Sequence, residues 1–178
     1  MLISDAQRDI RRAYVGGGPG VIVSSAVWFA AACAQQWRGT SFAFTVLFFG
    51  GMLIFPVSML ISRLVFRREK EAKGNTLATT TLECTVAMIG GLFAAWLFLP
   101  FKPSFVLTLA AIAVGTHYAV FKTVYGLRLF WALGAVVTMI GLFDILVRPI
   151  PGGVALAVAI AELAFGIVLT LRGALQEK

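Results

Sequence analysis

Long apolar stretches separated by short polar ones dominate the chain. They run from about Pro19 to Gln36, Ser41 to Phe66, Leu77 to Leu99, Ser104 to Phe121, Leu127 to Val147 and Gly153 to Leu171. Each spans about 18–26 residues, enough at ~1.5 Å per residue to cross a hydrocarbon core of ~30 Å. The pattern predicts an all-α membrane protein, a single domain over residues 1–178 built as a six-transmembrane-helix bundle. Helices suit that setting because each satisfies its own backbone polar groups.

Ahead of the first stretch, Leu2, Ile3, Ala6, Ile10, Ala13 and Tyr14 recur at helical spacing opposite Asp5, Arg8, Asp9 and Arg12. This predicts an N-terminal amphipathic helix over residues 1–15 lying on the membrane surface, opened by a Ser4/Gln7 capping box. A frayed tail is the alternative. Residues 1–14 lack the short apolar core of a cleavable signal, so the first span is expected to direct insertion. Gly16, Gly17, Gly18, Pro19 and Gly20 end the first helix, and Pro19 suits the first turn of the next.

Composition sharpens the class. The chain is 60% hydrophobic and 13% charged, where soluble domains are about 45–50% and about 25%. The net charge of +7 does not imply nucleic acid, because the basic residues fall in short connections that set orientation. Arg8, Arg11, Arg12, Arg63, Arg67, Arg68, Lys70, Lys73, Lys122, Arg128, Arg172 and Lys178 fall on one side, and Arg38, Lys102 and Arg148 on the other. The richer side is expected to be cytoplasmic, with both termini there. The charged connection Arg67 to Asn75 reads as a solvated turn, or as a headgroup or partner site. Cys33 and Cys84 are expected to be buried thiols too far apart to pair.

Ionisable residues within spans are costly in lipid, about 2.5–3.5 kcal/mol at a helix centre, so each needs a reason. Glu162 lies near the middle of the sixth span with no basic partner on its helix. It reads either as a proton- or cation-binding site or as a neutral carboxyl tying two helices together. Glu83 and His117 lie at similar depth on the third and fourth spans. They suit a pair that relays protons or a structural hydrogen bond, and Arg63 is close enough in depth to join them. Asp144 and Arg148, four apart at the outer end of the fifth span, read as a structural ion pair rather than a substrate site.

Ala87, Gly90, Gly91, Ala94, Ala110, Ala113, Gly115, Gly134 and Gly141 predict close helix packing. Trp28, Trp37, Trp96 and Trp131, with Tyr14, Tyr118 and Tyr125, read as interfacial anchors. A single histidine excludes a multi-histidine metal site within one chain, no phosphate loop or hydrolase motif is present, and no metal or cofactor is expected. Gly50, Gly51 and Pro56, then Gly90, Gly91 and Pro100, leave room for a three-plus-three inverted arrangement without a sequence repeat.

The amphipathic first helix, Trp28, the segment Pro56-Val57-Ser58-Met59-Leu60-Ile61-Ser62-Arg63 and a Gly115-Thr116-His117 segment leading to Tyr125 resemble a family of small bacterial membrane proteins known as a domain of unknown function. The chain departs from it at Ala119 and Val120, where a proline is expected after the histidine. The resemblance implies a bacterial inner-membrane protein and carries no site residues over. Two function classes remain: a small transporter or channel-like protein, proton-coupled through Glu162, or a non-catalytic scaffold or regulatory subunit. An intramembrane lipid enzyme using the carboxylates and His117 is a third. The expected partners are the lipid bilayer and, as a possible homodimer, a second copy.

Overall fold

The computed structural model describes residues 2–147 and 149–175. Among them the fold is all helical: α1 (Ile3–Ala13), α2 (Gly18–Leu64), α3 (Thr76–Trp96), α4 (Val106–Tyr125), α5 (Leu129–Leu146) and α6 (Val154–Leu175). Five helical segments are long and apolar enough to cross a membrane, the first being Val15–Leu64, which contains α2.

Helix α2 is a hairpin. Gly39 at its middle has φ 80° and ψ −177°, a left-handed conformation that glycine adopts without steric cost. The halves fold back in register, bringing Gly20 against Ser58 and Gly50 against Val27. The two stretches read as the first and second spans thus meet at Gly39 and run antiparallel in space.

Small residues set the other helix contacts. A Cβ on Gly18 would sit 2.3 Å from the backbone nitrogen of Thr170, and one on Gly166 3.0 Å from that of Ile22, so α6 runs antiparallel against the first half of α2. Ser25 Oγ donates to the Ala159 carbonyl across this contact at 2.7 Å. Gly115, Gly134 and Gly141 bring α4 and α5 together in the same way, and Gly91 meets Ala113 between α3 and α4. A Cβ on Gly90 would meet nothing within 4 Å beyond its own helix.

Every turn at one end lies beside α1. Gln7 Nε2 donates to the Thr123 carbonyl at 2.7 Å, and Arg11 donates to that of Tyr125. Asn75 Nδ2 donates to the Ala6 carbonyl at 3.0 Å and to Asp9 Oδ2 at 2.9 Å. The Ala72 N–H reaches the same Asp9 oxygen at 2.8 Å. The first helix is therefore docked on the bundle. Its apolar face, Ala6, Ile10 and Ala13, is buried against the bundle, while Leu2 and Ile3 stay exposed. The capping box does not form: Leu2 holds the N-cap without a side-chain bond, and Gln7 is used on α4 instead.

The connection after α2 is folded rather than simply solvated. Tyr14 Oη donates to Glu71 at 2.9 Å, Arg12 donates to the Lys70 carbonyl at 3.1 Å, and Asn75 caps α3 by accepting from the Leu77 N–H. Asp9 draws these contacts together. Burial alone would raise its pKa, but the bonds from Asn75, Ala72 and Arg12 hold it below the ordinary carboxylate value. Burial, and then the bond to Glu71, push the Tyr14 phenol up.

Two placements differ from the aromatic-belt and thiol expectations. Trp28 is 1% exposed inside the bundle, and Tyr118 and Tyr125 are buried too, whereas Trp37, Trp96 and Trp131 are exposed. Arg38 lies over the Trp37 ring at 4.5 Å and Lys122 over Trp131 at 4.9 Å. Cys33 faces outward rather than inward, and Cys84 is half-buried.

Candidate functional site

The second half of α2 and α3 hardly touch. The Phe48 and Phe93 rings meet at 5.4 Å, and elsewhere the two helices leave a cavity of about 380 Å³ between them. Its floor is the first half of α2 and α4, with Ser24, Trp28, His117 and Tyr118 facing it. Ile10, Tyr14 and Glu71 close the end nearest α1. From Leu47 to Ser62, both lining residues, the cavity follows some fifteen residues of helix, ~22 Å at ~1.5 Å per residue.

Among the described residues, two buried polar atoms of side chains that line this space have no hydrogen-bond partner, Ser62 Oγ and His117 Nδ1. Ser62 is 2% exposed. An unpartnered buried donor or acceptor costs about 1–3 kcal/mol, so these atoms call for a water or a bound molecule. His117 rests against the Cys84 backbone and the Phe121 ring, 4.6 Å between centroids.

Glu162 is fully buried on α6, behind the cavity wall. Tyr118 Oη donates to its Oε1 at 3.0 Å, and Ser24 approaches both groups. Its Oε2 has no partner among the described residues. Tyr118 and Ser24 both line the cavity, so the carboxyl is one side chain removed from it.

The other expected sites are arranged differently. Glu83 is exposed on α3, and no ion pair or hydrogen bond joins it to His117 among the described residues; its neighbour Cys84 meets the histidine instead. Adjacent helical residues point about 100° apart, so only one of the two can face α4. Arg63 acts on Tyr14 at the α1 end. Asp144 accepts from Thr108 Oγ1 at 2.9 Å and from the Ile150 N–H at 2.8 Å, tying α5 to α4 and to the following turn. Arg148, its expected partner, lies outside the described residues. Among the described residues no group of His, Cys, Asp or Glu is placed to hold a metal ion.

Ser24, Ser62 and Tyr118 were not singled out as site residues by sequence reasoning. Ser24 lies in an ordinary small-residue run, Ser62 is a lone hydroxyl among apolar residues beside Arg63, and the helix phase of Tyr118 shows only once α4 is packed. No curated protein and no solved structure matches the chain. A family model matches residues 3–172, and the chain belongs to that family, the family of unknown function DUF7010.

Proposed function

We propose that the protein crosses a bacterial cytoplasmic membrane six times with both termini in the cytoplasm, and that it is a small carrier exchanging a solute for a proton. The doubled α2 supplies two crossings and α3 to α6 one each. Arg8, Arg11, Arg12, Arg63, Arg67, Arg68, Lys70, Lys73, Lys122, Arg128 and Arg172 lie on or beside the turns at the α1 end, which supports that end as the cytoplasmic one.

The carrier reading rests on the unequal packing of two equivalent helix pairs. The first half of α2 packs on its second half and on α6, while α4 packs on α5 and on α3. An inversion exchanging the α2 hairpin plus α3 with α4 to α6 relates these contacts. It also makes the second half of α2 with α3 the counterpart of α5 with α6. The latter pair is packed and the former is splayed around the cavity. A carrier built on inverted halves works by exchanging such arrangements around a central site. Glu162, adjacent through Tyr118, is the proton site, and α1 closes the cytoplasmic end.

The second reading, a non-transporting scaffold or regulatory subunit, is favoured by the bond from Tyr118, which lets Glu162 simply tie α4 to α6. Vesicles holding the protein and an internal pH dye, challenged with cations, anions and neutral solutes, separate the two. A carrier gives a solute-dependent pH change that Glu162→Gln abolishes. No response to any solute class assigns the scaffold role.

A further inference from the structure

We infer that the cavity binds a lipophilic organic ammonium ion, a substrate class that rests on the carrier reading of the same site. Three features of the lining point to it. Aromatic rings are spread around the walls, with Tyr14, Trp28, Phe55, Tyr118, Phe121 and Tyr125 lining one space. Ring faces attract cations, most strongly where water is excluded.

Charge is the second feature. Glu71 stands at the α1 end of the cavity, and no Lys or Arg is among the described residues that line it. Arg63 acts on Tyr14 from outside the lining and leaves the deeper space to the rings. Glu71 receives the Tyr14 hydroxyl through one oxygen, Oε2, which leaves a carboxylate with further acceptor capacity.

The third feature is the pair of unpartnered atoms. Ser62 Oγ accepts a hydrogen bond readily, and with the His117 ring turned to the Cys84 backbone, Nδ1 is left to accept as well. Unmet acceptor capacity beside the cavity suits an N–H-bearing cation. A lipid headgroup would add a phosphate for which the lining supplies no basic partner, so a free cation fits better. Entry is sideways, between the splayed second half of α2 and α3.

Calorimetry on the purified full chain tests this with 2-phenylethylammonium, 2-phenylethanol and 3-phenylpropanoate, which share a ring and differ in the head, and with the bulkier tetraphenylphosphonium. 2-Phenylethylammonium binds saturably, tetraphenylphosphonium, which has no N–H, and the alcohol more weakly, and the carboxylate not at all. Glu71→Gln and Ser62→Ala each weaken cation binding by about tenfold, the equivalent of ~1.4 kcal/mol, with unchanged melting temperature. Equal binding of the carboxylate, or no binding of the ammonium, overturns the inference. A cation that binds but never crosses vesicles sinks the carrier reading and leaves the site assignment standing; proton-linked flux of anions alone does the reverse.

Discussion

Tyr118 on α4 and Glu162 on α6 share a hydrogen bond of 3.0 Å at the wall of the cavity. It joins a group that touches the open space to one that does not. If the pair carries protons, replacing either member changes flux without unfolding the bundle. Glu162→Gln keeps an acceptor for the Tyr118 hydroxyl but cannot change charge, so flux should fall to background with little change in melting temperature. Glu162→Leu removes the bond and leaves the Tyr118 hydroxyl buried, a loss of about 1–3 kcal/mol. Flux assays and thermal melts of both variants check this. Full flux in the Gln variant excludes the carboxyl as the proton site.

Packing yields a sharper contrast, because two glycines of similar sequence context differ in surroundings. A Cβ on Gly115 would lie 2.6 Å from the Thr138 backbone nitrogen and 2.9 Å from the Gly134 carbonyl, while one on Gly90 meets nothing within 4 Å. Gly115→Ala should therefore destabilise by about 1–3 kcal/mol as α4 and α5 are forced apart. Gly90→Ala should stay within about 0.5 kcal/mol of the parent. Equal melting temperatures for the two variants would contradict the α4–α5 contact.

How far the sequence could anticipate this arrangement depends on the kind of residue. Apolar runs with their glycine and proline breaks mark the helix ends to within a few residues, because length and hydropathy alone determine them. Gly39 falls in the short polar gap left between the first two stretches, and the hairpin turns there. Helix phase is harder to read. Glu83 and Cys84 are equally eligible to face His117 until the α3–α4 contact through Gly91 is known. Trp28 is as suited to an interface as to an interior, and only packing decides. The docking of α1 was hidden for another reason: Asp9 and Asn75 are polar residues in polar segments, which read as solvated unless their partners are visible.

That docking should respond to pH. Asp9 titrates below its ordinary value when α1 is docked. Its carboxylate therefore favours docking above the free-state pKa of about 3.9, and the contribution is lost as pH falls through the lower docked value. A fluorophore on Ile3→Cys, in a background lacking Cys33 and Cys84, should report release of α1 only below about pH 4. Asp9→Asn, which cannot carry the charge that Arg12 and the two N–H donors meet, should release α1 already at neutral pH. Probe mobility unchanged by acid and by the substitution would show that Asp9 does not hold the helix.

The six crossings of the proposed topology depend on Gly39. If α2 were one straight rod, its 47 residues would reach ~70 Å at ~1.5 Å per residue, more than twice a hydrocarbon core. The left-handed Gly39 and the Gly20–Ser58 and Gly50–Val27 contacts return the chain to its starting end instead. In the proposed six-crossing arrangement Arg38 and Lys73 lie on opposite sides of the membrane. Single cysteines at these positions, in the same cysteine-free background, should react from opposite sides of intact cells: Arg38→Cys with an impermeant maleimide added outside, Lys73→Cys only after the membrane is opened. Reaction of both from outside would mean that the turn at Gly39 does not separate two crossings, and the even count that places both termini together would fail with it.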